Sequence, residues 1–147
     1  MLAAVCALSS AALSLLLLFS YQQLGGNGSM PPSSGLERLG AAYTLVIAAI
    51  FMPFVETMIF QATFMWLVKK TFLSAWVGIG LSALVFAGAH FSTQQVGYAV
   101  LVSILGLFWA ALGVYRMSRY GIWQGILLVY LSHGMHNGLI VTLSNFE

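Results

Sequence analysis

The sequence predicts an all-α integral membrane protein with about five transmembrane helices. Of the 147 residues, 61% are hydrophobic and only 5% are charged, whereas about a quarter of the residues of a soluble domain are charged. So few charges cannot cover a surface that faces water. The apolar residues also form long continuous runs, each close to the ~20 residues that a bilayer-spanning helix needs. Membrane strands are disfavoured, because they alternate in polarity and are about half as long.

The apolar runs define the predicted spans, which cover residues 2–24, 40–68, 74–91, 96–115 and 121–143. We expect one membrane domain, residues 1–147, because no segment is long enough for a separate soluble domain. Residues 25–37 are rich in Gly, Ser, Asn and Pro, which predicts a flexible loop. No basic region precedes the first run and no good cleavage site follows it, so we expect a retained helix rather than a signal peptide.

The basic residues predict the orientation, because they favour the cytoplasmic side of a membrane. With these spans, four of the five basic residues fall on one side: Lys69, Lys70, Arg116 and Arg119. Arg38 falls on the other side. We therefore expect a multi-pass protein with a cytoplasmic N-terminus and a non-cytoplasmic C-terminus. A net charge of +2 is too small for a nucleic-acid surface, so no nucleic acid is expected as a partner.

Polar side chains inside the predicted spans indicate where function lies, because an ionisable group at the bilayer centre costs about 2.5–3.5 kcal/mol or more. Glu56 is the only carboxylate in any span, and His90 closes the third span. His133 and Asn137 are four residues apart and share one face of the fifth. Pro53 should kink the helix before Glu56 and free a carbonyl. The helical rise gives these groups comparable depths, so they could converge and satisfy one another.

Such a set of groups is suited to hydrolysis. A carboxylate or imidazole can take a proton from water, while an imidazole and an amide stabilise the developing oxyanion. Alternatively, Glu56, His90 and His133 could hold zinc with an open position. A third hypothesis is passage of protons or ions along these groups, although the spans show no inverted repeat. His136 is expected to have a supporting or spectator role.

Three segments resemble the motifs of the CPBP family, the CAAX prenyl protease and bacteriocin-processing intramembrane proteases, also called the Abi family. Residues 53–61 (Pro-Phe-Val-Glu-Thr-Met-Ile-Phe-Gln) resemble the first motif, which usually reads Glu-Glu-x-x-x-Arg after a nearby proline. Residues 86–90 (Phe-Ala-Gly-Ala-His) resemble Phe-x-x-x-His, and residues 133–137 (His-Gly-Met-His-Asn) resemble His-x-x-x-Asn. The motifs occur in order, each in its own span, and the resemblance covers a core of residues 38–143.

The resemblance implies an intramembrane endopeptidase, a hydrolase acting on a peptide or membrane-protein substrate. Glu56 would activate water with help from His90, and His133 and Asn137 would form the oxyanion site. The supporting positions would be Pro53, Thr57, Gln61, Phe86 and His136. Many family members are regarded as metalloproteases, but the resemblance also supports a metal-free glutamate mechanism. We therefore expect no cofactor, with zinc on Glu56, His90 and His133 as the alternative.

The chain departs from the first family motif at two positions. Thr57 replaces the second glutamate and Gln61 replaces the arginine, so both members of a charge pair are absent together. This departure supports an alternative function, a catalytically inactive membrane scaffold or regulator that binds another membrane protein. Small residues on the helices also leave room for a membrane-protein partner or a homo-oligomer. The retention of Glu56 inside a membrane favours the protease.

Overall fold

The computed structural model describes residues 2–23, 40–91 and 96–144, and this part of the chain contains helices and no strands. Its helices are α1 (Leu2–Gln23), α2 (residues 41–70), α3 (Ala75–Ala89), α4 (Val96–Tyr120) and α5 (Ile122–Ser144). The all-α prediction is confirmed for the described residues, and each helix corresponds to one predicted span. The predicted loop 25–37 lies outside them.

Helix α2 alternates between α-helical and π-helical turns. Its α-helical segments are Ala41–Val46, Met52–Glu56 and Thr63–Lys70, and its π-helical segments are Ile47–Phe51 and Thr57–Ala62. Pro53 lies just after the first π-helical segment, and it has no N–H to donate to the preceding turn. π-helical turns inside α-helices are frequent at functional sites. The first π-helical segment directly precedes the short α-helical segment Met52–Glu56, and the second directly follows it.

Among the described residues, two helices are long and apolar enough to cross a membrane, namely Ala42–Lys70 and Ala99–Tyr120. The apolar helices Leu2–Leu16 and Ala75–Ala89 are shorter. The 15 residues of α3 rise about 22 Å, which is less than the ~30 Å of a hydrocarbon core. The number of crossings and the orientation of the termini therefore stay predictions.

The outside of the bundle is strongly apolar. Leu8, Phe51, Leu84 and Trp123 are among many large apolar side chains that are more than half exposed. Soluble monomers rarely expose apolar surface on this scale, whereas membrane-facing surfaces do. The inner face instead carries a compact cluster of buried residues, namely Phe86, Val102, Leu105, Trp109 and Val129. Helix α1 packs against α4 and α5 on one side of this cluster.

Helices α2, α4 and α5 come close together at Gly113. A Cβ on Gly113 would lie 2.8 Å from Sδ of Met65 and 2.9 Å from Cγ2 of Val129, so a larger residue at this position would require these side chains to shift. We call this the glycine contact (Met65, Gly113 and Val129). It lies four residues before Lys69 on α2 and three residues before Arg116 on α4, so the basic ends of these helices lie at the same end of the bundle.

Candidate active site

Glu56 lies between two histidines that belong to other parts of the bundle. Its Oε2 atom is 3.4 Å from Nε2 of His133 on α5, and its Oε1 atom is 3.7 Å from Nε2 of His90, which follows α3. The side chain of His133 is 2% exposed, that of Glu56 12% and that of His90 24%. The Glu56 carboxylate is therefore enclosed on the side of His133 and accessible on the side of His90.

The ring of His90 is oriented by the backbone of its own helix. Its Nδ1–H donates to the carbonyl oxygen of Phe86 at 2.8 Å, because a carbonyl can only accept. In the neutral imidazole this leaves Nε2 unprotonated and directed towards Glu56. The 3.7 Å between Nε2 and Oε1 exceeds a direct hydrogen bond. A gap of this kind suits a water molecule that bonds to both atoms.

His133 is enclosed by aromatic rings. The indole of Trp109 on α4 stacks on the imidazole with a centroid distance of 4.0 Å and an interplanar angle of 25°. Phe86 meets the same imidazole edge-on at 5.9 Å. The fourth helix therefore also contributes to the site, whereas the sequence placed site residues only on the second, third and fifth. The sequence did not single out Trp109, because the chain is rich in aromatic residues and Trp109 belongs to no motif.

Asn137 bonds to the backbone of α2. Its Nδ2 donates to the carbonyl oxygen of Ala48 at 3.1 Å. Ala48 lies in the π-helical turn before Pro53, where the missing proline N–H leaves the backbone one donor short. A side chain from α5 thus supplies a donor to a turn that lacks one. The other N–H of the Asn137 amide remains for a further partner, and its oxyanion role stays a prediction.

Gly134 permits the close approach of α5 to α2, since a Cβ there would overlap the carbonyl oxygen of Ala49. We expect Gly134→Ala to force the helices apart and to destabilise the protein by about 1–3 kcal/mol. Thermal unfolding of the purified protein in detergent would measure this loss. Gly88→Ala is the matched control, because nothing lies within 4 Å of its Cβ position. Equal loss in both variants would contradict the prediction.

His136 connects α5 to α1. Its Nδ1 lies 3.0 Å from Oγ of Ser10, and both side chains are buried. The Ser10 hydroxyl donates to the carbonyl oxygen of Ala7 at 2.9 Å, so its oxygen accepts from Nδ1–H of His136. The His136 ring also meets Trp109 edge-on at 5.4 Å. The sequence did not indicate a role for Ser10. A serine in an apolar helix commonly bonds to the backbone of its own helix, so its presence alone does not predict a contact with another helix.

The two positions that depart from the family motif are both buried. Thr57 and Gln61 are each 1% exposed. Thr57 Oγ1 and both polar atoms of the Gln61 amide have no hydrogen-bond partner among the described residues. Neutral side chains avoid the large penalty of an unpaired buried charge. A buried polar atom that stays without any partner costs about 1–3 kcal/mol, so these atoms favour a further hydrogen-bond partner.

The zinc alternative is not supported by the arrangement of possible ligands. Within residues 2–23, 40–91 and 96–144, no group of three or more His, Cys, Asp or Glu side chains is placed to hold a metal ion. Glu56, His90 and His133, the ligands of the zinc alternative, lie within these residues.

Comparison with known families identifies the chain. The family model described as type II CAAX prenyl endopeptidase Rce1-like matches residues 38–139. No curated protein and no solved structure matches the chain. The family match covers well over half of the chain and contains all three motif segments, which confirms the resemblance seen in the sequence. The chain belongs to the Rce1-like family of type II CAAX prenyl endopeptidases.

Proposed function

We propose that this chain is an intramembrane endopeptidase that hydrolyses a peptide or membrane-protein substrate with a water activated by Glu56. The observation that carries the proposal is the position of Glu56, with its oxygens 3.4 and 3.7 Å from imidazole nitrogens of two other chain segments. Family membership and the two long apolar helices indicate a membrane protein. The family description also names an endopeptidase, which is the same class of reaction.

The attacking water binds between Glu56 and His90, on the accessible side of the site. Glu56 takes one proton from this water as its oxygen attacks the carbonyl carbon of the scissile peptide bond. The second hydrogen of the water is held by Nε2 of His90, which is an acceptor because Nδ1–H is bonded to Phe86. The backbone bond of His90 thus fixes the direction of the attack.

The tetrahedral intermediate then needs donors for its negatively charged oxygen. Nε2–H of His133 and the second N–H of Asn137 supply them, and the low polarity around Trp109 and Phe86 strengthens both interactions. Glu56 afterwards passes its proton to the leaving nitrogen as the C–N bond breaks, which releases an amine and a carboxylic acid. The acid then ionises and the amine takes up its proton. Glu56 is again a carboxylate, ready for the next cycle.

The proposal is tested by comparing protein termini in membranes from cells that carry wild type or Glu56→Gln at equal protein levels. We expect new termini that occur only with wild type, because glutamine cannot accept the proton of water. These termini would also name the substrate, and labelling with a prenyl precursor would show whether the substrate carries a lipid. Identical termini in the two samples would contradict the proposal.

The second candidate function is a catalytically inactive scaffold that binds another membrane protein. The observation that favours it is the loss of the family's charge pair at Thr57 and Gln61, two positions buried against the bundle. This hypothesis predicts that Glu56→Gln leaves the biological effect intact. A copurifying membrane protein, or a second copy of this chain, would then be found equally with wild type and variant. Loss of the effect with Glu56→Gln would count against the scaffold.

A further inference from the structure

Several deeply buried polar atoms near Glu56 have no hydrogen-bond partner in the part of the chain that the structure describes. Beside Thr57 Oγ1, these are both polar atoms of the Gln61 amide, Nε1 of Trp109 and Nδ1 of His133. Gln61, Trp109 and His133 are each at most 2% exposed. Bulk water therefore does not reach them. Buried groups of this kind are usually satisfied by an internal water, which makes about three hydrogen bonds.

The packing of the helices places Gln61, Trp109 and His133 at one level of the bundle. Each lies four residues from the glycine contact on the side away from the basic end, which is about one helical turn. The stacking of Trp109 on His133 at 4.0 Å agrees with this register. On α2, Phe60 meets Phe86 at 5.4 Å, and Phe86 in turn meets His133 at 5.9 Å.

One water molecule can act as the hydrogen-bond partner of three of these unpaired atoms, because two of them are acceptors and one is a donor. Nε2 of His133 lies on the side of Glu56, and its role as an oxyanion donor requires a hydrogen on that nitrogen. Nδ1 is then an acceptor that needs a donor. A water can donate one hydrogen to this Nδ1 and the other to Oε1 of Gln61. Its oxygen can accept from Nε1 of Trp109.

We propose that Gln61 and His133 share an internal water, which makes Gln61 a positioning residue that holds His133 as the Nε2–H tautomer. This deepens the proposed function and rests on it for the catalytic role of His133. It also gives a physical reason for glutamine at this position. A water that donates to His133 and to residue 61 needs an acceptor at residue 61, and a guanidinium has none.

The tautomer is measured by ¹⁵N NMR of the histidine rings in the full chain, purified in detergent and labelled at histidine. In wild type we expect His133 as a single Nε2–H tautomer whose ring shows a cross peak to water. Gln61→Met is nearly isosteric but cannot bond to water, so we expect a mixture of the two tautomers. Met65→Leu, a buried apolar change one turn further along α2, should retain the single tautomer.

Two results would overturn the proposal. One is an Nδ1–H tautomer, or the absence of a water contact, in wild type. The other is a single Nε2–H tautomer with a water cross peak in Gln61→Met. If Gln61→Met does not accumulate, the wild-type spectrum alone decides, since a single Nε2–H tautomer in contact with water supports the bridge.

Activity gives a second and separate measurement. Because only the Nε2–H tautomer of His133 would be active, we expect kcat of Gln61→Met to fall about tenfold, matching an Nε2–H fraction of about one tenth in the NMR spectrum, with an unchanged KM. Met65→Leu should leave both constants at their wild-type values. An unchanged kcat in Gln61→Met would overturn the positioning role. If wild type cleaves no substrate, the proposed function fails, while the NMR spectra still decide the water bridge.

Discussion

Replacing Glu56 by glutamine is expected to lower kcat for peptide hydrolysis by about 10²–10⁴-fold, which is the usual contribution of a general base. Glutamine keeps the size of the side chain but cannot take a proton from water. The measurement is the cleavage rate of a substrate peptide, with its termini known from the membrane comparison, by protein reconstituted in lipid vesicles. KM should change little, because Glu56 contributes to the transition state rather than to substrate binding.

A matched control separates this effect from a general loss of charge. Glu37→Gln changes another carboxylate, one that precedes the family match at residues 38–139, and it should cleave at the wild-type rate. Glu56→Gln should also unfold at a temperature no lower than that of wild type, because it removes a partly buried carboxylate. Cleavage by Glu56→Gln within tenfold of wild type would exclude Glu56 as the base.

Replacing Trp109 by alanine is expected to reduce the free energy of unfolding by about 3–5 kcal/mol, the usual cost of truncating a buried tryptophan. Trp109 is 2% exposed, and its ring contacts those of Phe86, His133 and His136 at centroid distances of 6.0, 4.0 and 5.4 Å. One substitution therefore opens a cavity in the core and releases the imidazole that faces Glu56. Chemical denaturation in detergent would measure the loss.

Trp76→Ala is the matched control for Trp109→Ala, because the side chain of Trp76 is 81% exposed. We expect it to leave the free energy of unfolding within about 0.5 kcal/mol of wild type. Trp109→Phe should restore part of the stability, because a phenyl ring refills much of the cavity. A similar loss in Trp109→Ala and Trp76→Ala would show that the stack on His133 does not stabilise the bundle.

The helices and the family could be predicted from the sequence because their signals are local. Continuous apolar runs of the length of a membrane span predicted five helices, and the helices of the described residues match these runs closely. The same runs could not establish five crossings, since α3 has only 15 residues. The family was visible because its motifs consist of few residues at short, fixed spacings within single helices.

The contacts of the site depended on which helices pack together, and no local pattern reports that. Glu56 could be singled out because a lone carboxylate in an apolar span is costly, but its 3.4 Å distance to His133 depends on the packing of α5 against α2. Asn137 was expected to bind an oxyanion, and the structure shows it donating to Ala48. That bond exists because Pro53 and a π-helical turn change the backbone bonding of a different helix.

The sequence by itself determined that this chain is helical, that its solvent is largely lipid, and that it carries the motifs of its family. Composition and short-range spacing decide these properties, because each helix satisfies its own backbone and needs no partner to do so. Only the tertiary structure decided that α4 supplies Trp109 to the site and that α1 supplies Ser10 to His136. It also decided that Gln61 is buried with its amide unpaired among the described residues. Side chains distant in the chain meet only where close packing, as at Gly113 and Gly134, brings their helices together.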